Sequence, residues 1–293
     1  MPMPAAFPPP GSTLFRGDDG IWRPPGDVRG PAALSYPEVG HDACFEVEDG
    51  SFWFRHRNRC IVAAVRRLPP PPGTAVWDIG GGNGVVAAAL AAAGLPVVLL
   101  EPGAAGARNA RLRRVDPVVC ARIEDCGLGP GSLGAAGLFD VVEHIADDAG
   151  FLRRLRPLLR PGAPVYLTTP AYAALWSHED IDAGHHRRHT LASMRRLLES
   201  SGYEVTWASY IFRPLPLPIA LLRSLPFRLG MRRRQDALAQ ARREHLGANG
   251  GTGRRRPVAA AWLERLLAGE VDAVAAGRAM RLGASCLVVA RRI

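Results

Sequence analysis

The chain has 293 residues, 47% of them hydrophobic and 22% charged, which gives length and apolar content for one large domain with attachments or two small ones and excludes a disordered or collagen-like chain. The formal net charge is +10, yet all 37 basic residues are arginine, and Arg213 to Pro257 holds eleven of them against Asp236 and Glu244. With +9 in that stretch the rest of the chain is nearly neutral, which weighs against a nucleic-acid partner for the body of the protein.

Residues 1–35 are rich in Pro and Gly with little periodicity and are expected to form an arm without chemistry. Met1 to Pro10 shows no basic cluster followed by an apolar stretch, so no secretory signal is expected and a cytoplasmic location is. Five cysteines, odd in number and without a C-x-x-C pair, read as reduced thiols. From Phe52 the chain turns aromatic and basic, and Cys60, Ile61, Val62, Val65 and Leu68 recur at helical spacing up to the Pro69 to Gly73 cluster.

Beyond Gly73, short apolar runs alternate with helical stretches, the pattern of a doubly wound parallel α/β sheet. Seven strands are expected, at Thr74–Ile79, Val97–Glu101, Val118–Ala121, Ala135–Asp140, Val165–Thr168, Glu204–Tyr210 and Ser285–Ala290. Helices fit at Val85–Ala93, Ala105–Arg114, Asp148–Leu159, Leu191–Ser200 and Ala260–Ala275, the last with Leu263, Leu266, Leu267, Val271 and Val274 on one face. The uncharged run from Ile79 to Leu100 is bilayer-length but broken by five glycines and Pro96, so it does not span a membrane. The expected organisation is an N-terminal arm and aromatic helix over 1–68, a core over 69–212 plus 258–293, and an apolar, Arg-rich insertion over 213–257 between strands six and seven.

The first strand runs into Asp78-Ile79-Gly80-Gly81-Gly82-Asn83-Gly84 and an Ala-rich helix. An acid followed by glycines at alternate positions lets the backbone turn sharply and approach a ligand where a β-carbon would collide. Glu101 ends the second strand, where a carboxylate can accept hydrogen bonds from both hydroxyls of a ribose. Dinucleotide sites use G-x-G-x-x-G with a helix dipole facing a pyrophosphate. Here an acid precedes the turn, which repels a pyrophosphate and suits a cationic amino-acid tail.

With these features the chain resembles the class I S-adenosylmethionine-dependent methyltransferases over Ser51 to Ile293, and more narrowly an actinobacterial small-molecule branch. The matching segments are Phe52-Trp53-Phe54-Arg55-His56-Arg57-Asn58, Phe139-Asp140-Val141-Val142-Glu143-His144-Ile145 and Gly184-His185-His186-Arg187-Arg188-His189-Thr190. The resemblance implies a seven-stranded Rossmann-like methyltransferase sheet, with Asp78, Gly80, Gly82 and Gly84 holding the methionine part of the cofactor, Glu101 the ribose, and Asp140 beside it. An acid that meets adenine in many relatives is replaced at the aligned position by Arg122, and Glu124 or Asp125 is the expected substitute.

Open α/β sheets bind ligands beyond the carboxyl ends of their strands, so segments after strands four and five should face the methyl group. Asp140, Glu143 and His144 fall on one face if the chain turns helical there, and His185 arrives from the next loop. Together they form a candidate divalent-cation set, similar to the D/E-x-x-E-H site of ubiquinone-pathway O-methyltransferases; alternatively the acids cap a helix and His144 packs under the sheet. Without a cation, His185 is the expected general base, backed by His186 or Tyr172. Arg187 and Arg188 either meet an acidic substrate group or are solvated. Phe52-Trp53-Phe54 either closes over the cofactor or docks its helix. Residues 211–257 read as a substrate cap or as a peripheral membrane contact. The expected function is methyl transfer from S-adenosylmethionine to a small-molecule or lipid-like acceptor in secondary metabolism. The alternatives are an RNA-modifying enzyme using the Arg-rich segment and a non-catalytic cofactor-binding partner protein.

Overall fold

The computed structural model describes residues 7–26, 45, 48–231 and 258–293, the side chains of 258–266 excepted. Nine strands form one sheet: β1 (Phe15–Arg16), β2 (Trp22–Arg23), β3 (Val76–Ile79), β4 (Val97–Leu100), β5 (Val118–Val119), β6 (Ala135–Phe139), β7 (Pro164–Pro170), β8 (Tyr203–Ile211) and β9 (Ser285–Arg292). Their order is β1-β2-β5-β4-β3-β6-β7-β9-β8, with β9 antiparallel to both β7 and β8 and the strands from β5 to β7 parallel. The seven expected strands are β3 to β9. The chain steps outward from β3 through β4 on one side and then crosses to β6 on the other, which leaves a crevice at the carboxyl end of β3.

The two extra strands correct the expectation of seven. Trp22 pairs with Val119 in parallel register, and the Trp22 carbonyl accepts the Cys120 N–H at 2.8 Å. Ile21 is 1% exposed, and the Phe7 ring packs edge-on against Trp22. The arm thus covers the edge of β5, whose ladder groups would otherwise face water. Strands of two residues are too short to show a period of two, so the pattern gave no sign of them.

The helices around this sheet are α1 (Phe52–Arg67), α2 (Val85–Ala92), α3 (Ala104–Leu112), α4 (Asp148–Leu155), α5 (His178–Asp182), α6 (Leu191–Ser200), α7 (Pro216–Ile219), α8 (Leu225–Arg228) and α9 (Val258–Ala275). Alternate residues of each strand feed two core layers: Val97 and Leu99 join Ile61, Leu90 and Val274 from α1, α2 and α9, while Val98 and Leu100 join Leu152 and Leu198 from α4 and α6. Leu267 and Val274 of α9 are buried as its spacing requires, whereas Leu263 and Leu266 lie outside the described side chains. Cys60, Cys126 and Cys286 are buried free thiols, and Cys120 is half-buried. Of the insertion, residues 213–231 are described; the basic tip at 247–256 lies outside the described residues.

Candidate active site

The turn after β3 is built by glycines at φ +72° (Gly80), +52° (Gly82) and +77° (Gly84). At Gly84, which starts α2, a β-carbon would also lie 2.8 Å from Cβ of Ala110 on α3, so only glycine lets the two helices close on the turn. Glu101, 5% exposed at the end of β4, accepts the Gly82 N–H on Oε2 at 2.8 Å and the Gly103 N–H on Oε1 at 2.7 Å. These bonds fix its plane beside the turn.

Asp78 is 1% exposed, and its Oδ2 has no hydrogen-bond partner among the described residues. Burial raises its carboxyl to about 7, with the Arg57 guanidinium opposing the rise. A buried carboxylate oxygen without a partner, aimed into a cavity, is what an α-ammonium group would satisfy. That cavity measures about 1000 Å³ and is lined by Asp78, Gly80 to Asn83 and Glu101 together with Glu143, His144 and His185. It exceeds what one drug-sized ligand needs and has room for a nucleoside cofactor with an acceptor. Arg122, Ile123, Glu124 and Asp125 also line it; Ile123 is buried, and Glu124 and Asp125 are exposed, with Glu124 3.9 Å from the Arg154 guanidinium.

After β6 the chain does not turn α-helical. Asp140 sits at φ +57°, and a single 3₁₀ turn, Val142–His144, follows. Asp140 instead forms an ion pair with Arg57 of α1 and accepts the Thr168 hydroxyl at 2.8 Å. The expected common face of Asp140, Glu143 and His144 breaks here, because it required residue 140 to be helical as well.

Glu143, His144 and His185 do come together, each offering a ligating atom within 4.8 Å of the others. The His144 and His185 rings meet edge to face at 4.7 Å between centroids. Glu143 is fully buried, neither carboxylate oxygen has a hydrogen-bond partner among the described residues, and burial with the nearby Asp140 charge holds its carboxyl well above the usual range. Burial and the neighbouring His185 lower His144 to about 4. Three O and N donors with an uncompensated carboxylate fit a divalent cation, and Asp140 is not among them.

His185 owes its position to Asp180, to which the sequence assigned no role. Asp180, fully buried on α5, lies 2.9 Å from His185 Nδ1 and receives Arg188 on both oxygens, at 2.7 and 2.9 Å. The same carboxylate accepts the Ser177 N–H at 2.8 Å to cap α5. Arg188 is held by Asp180 while it lines the cavity, and Arg187 pairs with Asp148 at 2.6 Å with its side chain still 35% exposed. His186 is exposed at the cavity wall, where its N–H donates to the Glu143 carbonyl at 2.7 Å. Tyr172 stacks on Tyr210 at 4.9 Å and is not among the residues lining the cavity.

The aromatic segment docks its helix and also borders the cavity. Trp53 and Phe54 line the cavity, and Trp53 stacks on the buried Phe212 ring at 3.9 Å. Phe212 lies where the chain leaves β8, at φ +62°. Its N–H and that of Arg213 donate to Glu270 of α9, each at 2.7 Å, and His56 of α1 lies 2.9 Å from the same carboxylate. Arg57, Asp180 and Glu270 are the contributors that sequence reasoning passed over. Arg57 was visible inside the aromatic-basic motif, and Asp180 in Ser177-x-x-Asp180, which has capping-box spacing; Glu270 left no local signal.

A parallel sheet with this strand order, an antiparallel last strand, a glycine turn and an acid closing the next strand define a class I S-adenosylmethionine-dependent methyltransferase. The chain belongs to the family described as "Methyltransferase domain", whose model matches residues 53–207. It is 27% identical over 179 residues to a protein of Mycolicibacterium smegmatis named "Probable S-adenosylmethionine-dependent methyltransferase", covering 60% of this chain and 67% of that one. It is 30% identical over 104 residues to the ubiquinone biosynthesis O-methyltransferase of Xanthomonas campestris pv. campestris, a match covering 33% of this chain and 44% of that enzyme. The chain therefore spans about two thirds of the first relative and less than half of the second. Its fold is similar to that of Haemonchus contortus phosphoethanolamine N-methyltransferase 2 in complex with S-adenosyl-L-methionine, with a TM-score of 0.54, 17% identity, and coverage of 90% of this chain and 61% of that one.

Proposed function

We propose that the protein methylates a hydroxyl group of a small, lipid-like acceptor of secondary metabolism, with Asp78, the Gly80 to Gly84 turn and Glu101 holding the cofactor. The observation that carries this reading is the contact of Asp180 with His185, which lines the same cavity as the glycine turn. Asp180 accepts the Nδ1–H of His185, which leaves Nε2 with a free lone pair and so makes it the proton acceptor. As the acceptor oxygen attacks the methyl carbon, the carbon–sulfur bond breaks, a carbon–oxygen bond forms, and the hydroxyl proton passes to Nε2. S-adenosylhomocysteine leaves, and the proton returns to water. Because the sulfonium is already an activated donor, most of the rate comes from holding oxygen, carbon and sulfur in line. Trp53, Phe54 and Ile219 supply apolar walls that exclude water and favour an apolar acceptor. The similarity to ubiquinone biosynthesis O-methyltransferases supports oxygen as the accepting atom.

A second reading rests on the partnerless carboxylate of Glu143 beside His144 and His185. These three residues would hold a divalent cation, which when bound would lower the pKa of an acceptor hydroxyl. Incubating the protein with cell extract and methyl-labelled cofactor, then identifying the labelled product, tests the main reading. A labelled methyl ether on an apolar product supports it; a labelled RNA or an N-methyl product refutes it.

A further inference from the structure

From Pro216 to Arg228 the chain runs without a break through α7, a π-helical turn at Ala220–Ser224 and α8. One side of this segment belongs to the catalytic cavity, through Ile219 and Arg223, and Ile219 and Ser224 are buried. The other side is unlike the rest of the surface. Leu217, Leu221, Leu222, Leu225, Leu229 and Met231 are between 47% and 76% exposed, six large apolar side chains within 15 residues. Leu217, Leu221, Leu225 and Leu229 recur every four residues, the spacing of one helical stripe. Soluble surfaces scatter such residues singly; a cluster next to a cavity marks a contact with something apolar.

Charge selects the occupant. No acidic residue occurs between Glu204 and Asp236, whereas Arg213, Arg223, Arg228 and Arg232 to Arg234 all fall there. Segments that join exposed leucines to arginines without acids lie in the headgroup region of anionic bilayers, the leucines in the acyl boundary and the guanidinium groups at the phosphates. Among the described residues no helix is long and apolar enough to cross a membrane, so the contact is peripheral. A nucleic acid would use the arginines but gain nothing from the leucines.

We infer that the outer face of α7, the π turn and α8 is a docking surface for anionic lipid bilayers, and that it sets the wall of the catalytic cavity against the membrane. The inference deepens the proposed function and rests on its reading of the acceptor as lipid-like: an acceptor dissolved in the bilayer would pass from the lipid to the cavity beside Ile219 and Arg223 without crossing water.

The test is co-sedimentation of the full chain with vesicles of phosphatidylcholine alone and of phosphatidylcholine with an equal amount of phosphatidylglycerol. Binding should be confined largely to the anionic vesicles, persist in part at high salt, and fall at least about tenfold in Leu217→Glu/Leu222→Glu. Those positions lie outside the cavity lining, so S-adenosylhomocysteine binding measured by calorimetry should be unchanged, which shows that the variant is folded; Leu229→Glu provides a second, milder variant. Failure to bind anionic vesicles, or equal binding by the folded double variant, overturns the inference. So does binding of a homopolymeric RNA in place of vesicles, or a dimer in ultracentrifugation that the double variant abolishes while vesicles are ignored. A labelled methyl ether on a freely water-soluble acceptor with no vesicle binding removes the docking surface and leaves O-methylation standing. Vesicle binding with a labelled N-methyl product does the reverse.

Discussion

Protonating Asp78 should cost the protein its cofactor. Its buried carboxyl titrates at about 7, and Oδ2 lacks a partner until a cationic group arrives. If the cofactor's ammonium binds only the ionised form, affinity should follow the ionised fraction: between pH 5 and pH 6 it should rise about tenfold, or about 1.4 kcal/mol, and it should level off above pH 7. Folding of the free protein should run the other way. The carboxyl is raised in the native state from 3.8, so its contribution to stability is fully present below about pH 4 and is lost as pH climbs through 7, by about 4 kcal/mol at most. Asp78→Asn should remove both effects, binding weakly at all pH and holding a flatter melting temperature. Calorimetry with S-adenosylhomocysteine at constant ionic strength measures the first effect, and thermal denaturation of the free protein over pH 4 to 8 measures the second. Affinity that is flat from pH 5 to 7, or an Asp78→Asn variant that binds like the parent at pH 7.5, would refute the assignment.

Glu101→Ala should weaken S-adenosylhomocysteine binding by about 1.5 to 3 kcal/mol, since it removes charge-assisted bonds and strands the Gly82 and Gly103 N–H groups; a change under twofold by calorimetry would place the ribose elsewhere. His185→Gln should reduce turnover by about 10² to 10⁴-fold with cofactor affinity nearly unchanged, and Asp180→Asn should act in the same direction by disturbing the imidazole's orientation. If a cation assists, a chelator should lower turnover, a divalent salt should restore it, and Glu143→Ala should abolish the restoration; turnover indifferent to chelation leaves His185 as base. Glu270→Ala leaves two buried backbone N–H groups and His56 without their acceptor and should cost about 3 kcal/mol or more in urea denaturation; a loss below about 1 kcal/mol would mean that the carboxylate is not what joins these segments.

The parallel core was legible because its strands are continuous apolar runs punctuated by glycine, and because Asp78 to Gly84 and Glu101 are close in sequence to the strands that position them. What escaped was set by tertiary contact. The left-handed Asp140 turns its side chain to Arg57, more than 80 residues earlier, and no local spacing reveals such a pair. Glu143, His144 and His185 were brought together by strand adjacency, which the order of α/β units does predict. What residue type alone did not reveal for Arg187 and Arg188 is that Asp148 and Asp180 pair with them. The edge strands β1 and β2 lay in a segment whose Pro and Gly content hides two-residue pairings.

The carboxylate of Glu270 binds the backbone where the insertion departs and is carried by the helix that begins where it returns. The backbone at Phe212 and Arg213 and the helix that carries Glu270 are 57 residues apart in sequence and one hydrogen bond apart in space. A loop whose ends are clasped at the base can change length cheaply, about 0.6 kcal/mol for each doubling, because the closure is made once by the clasp and not by the loop's contents. The sheet and the inserted segment are therefore separable units of inheritance: the interval between Arg213 and α9 can be shortened, lengthened or exchanged for another sequence while β8, β9 and the glycine turn keep their places. Chimeras that cut at these two points should change which acceptor is methylated before they change whether the core folds.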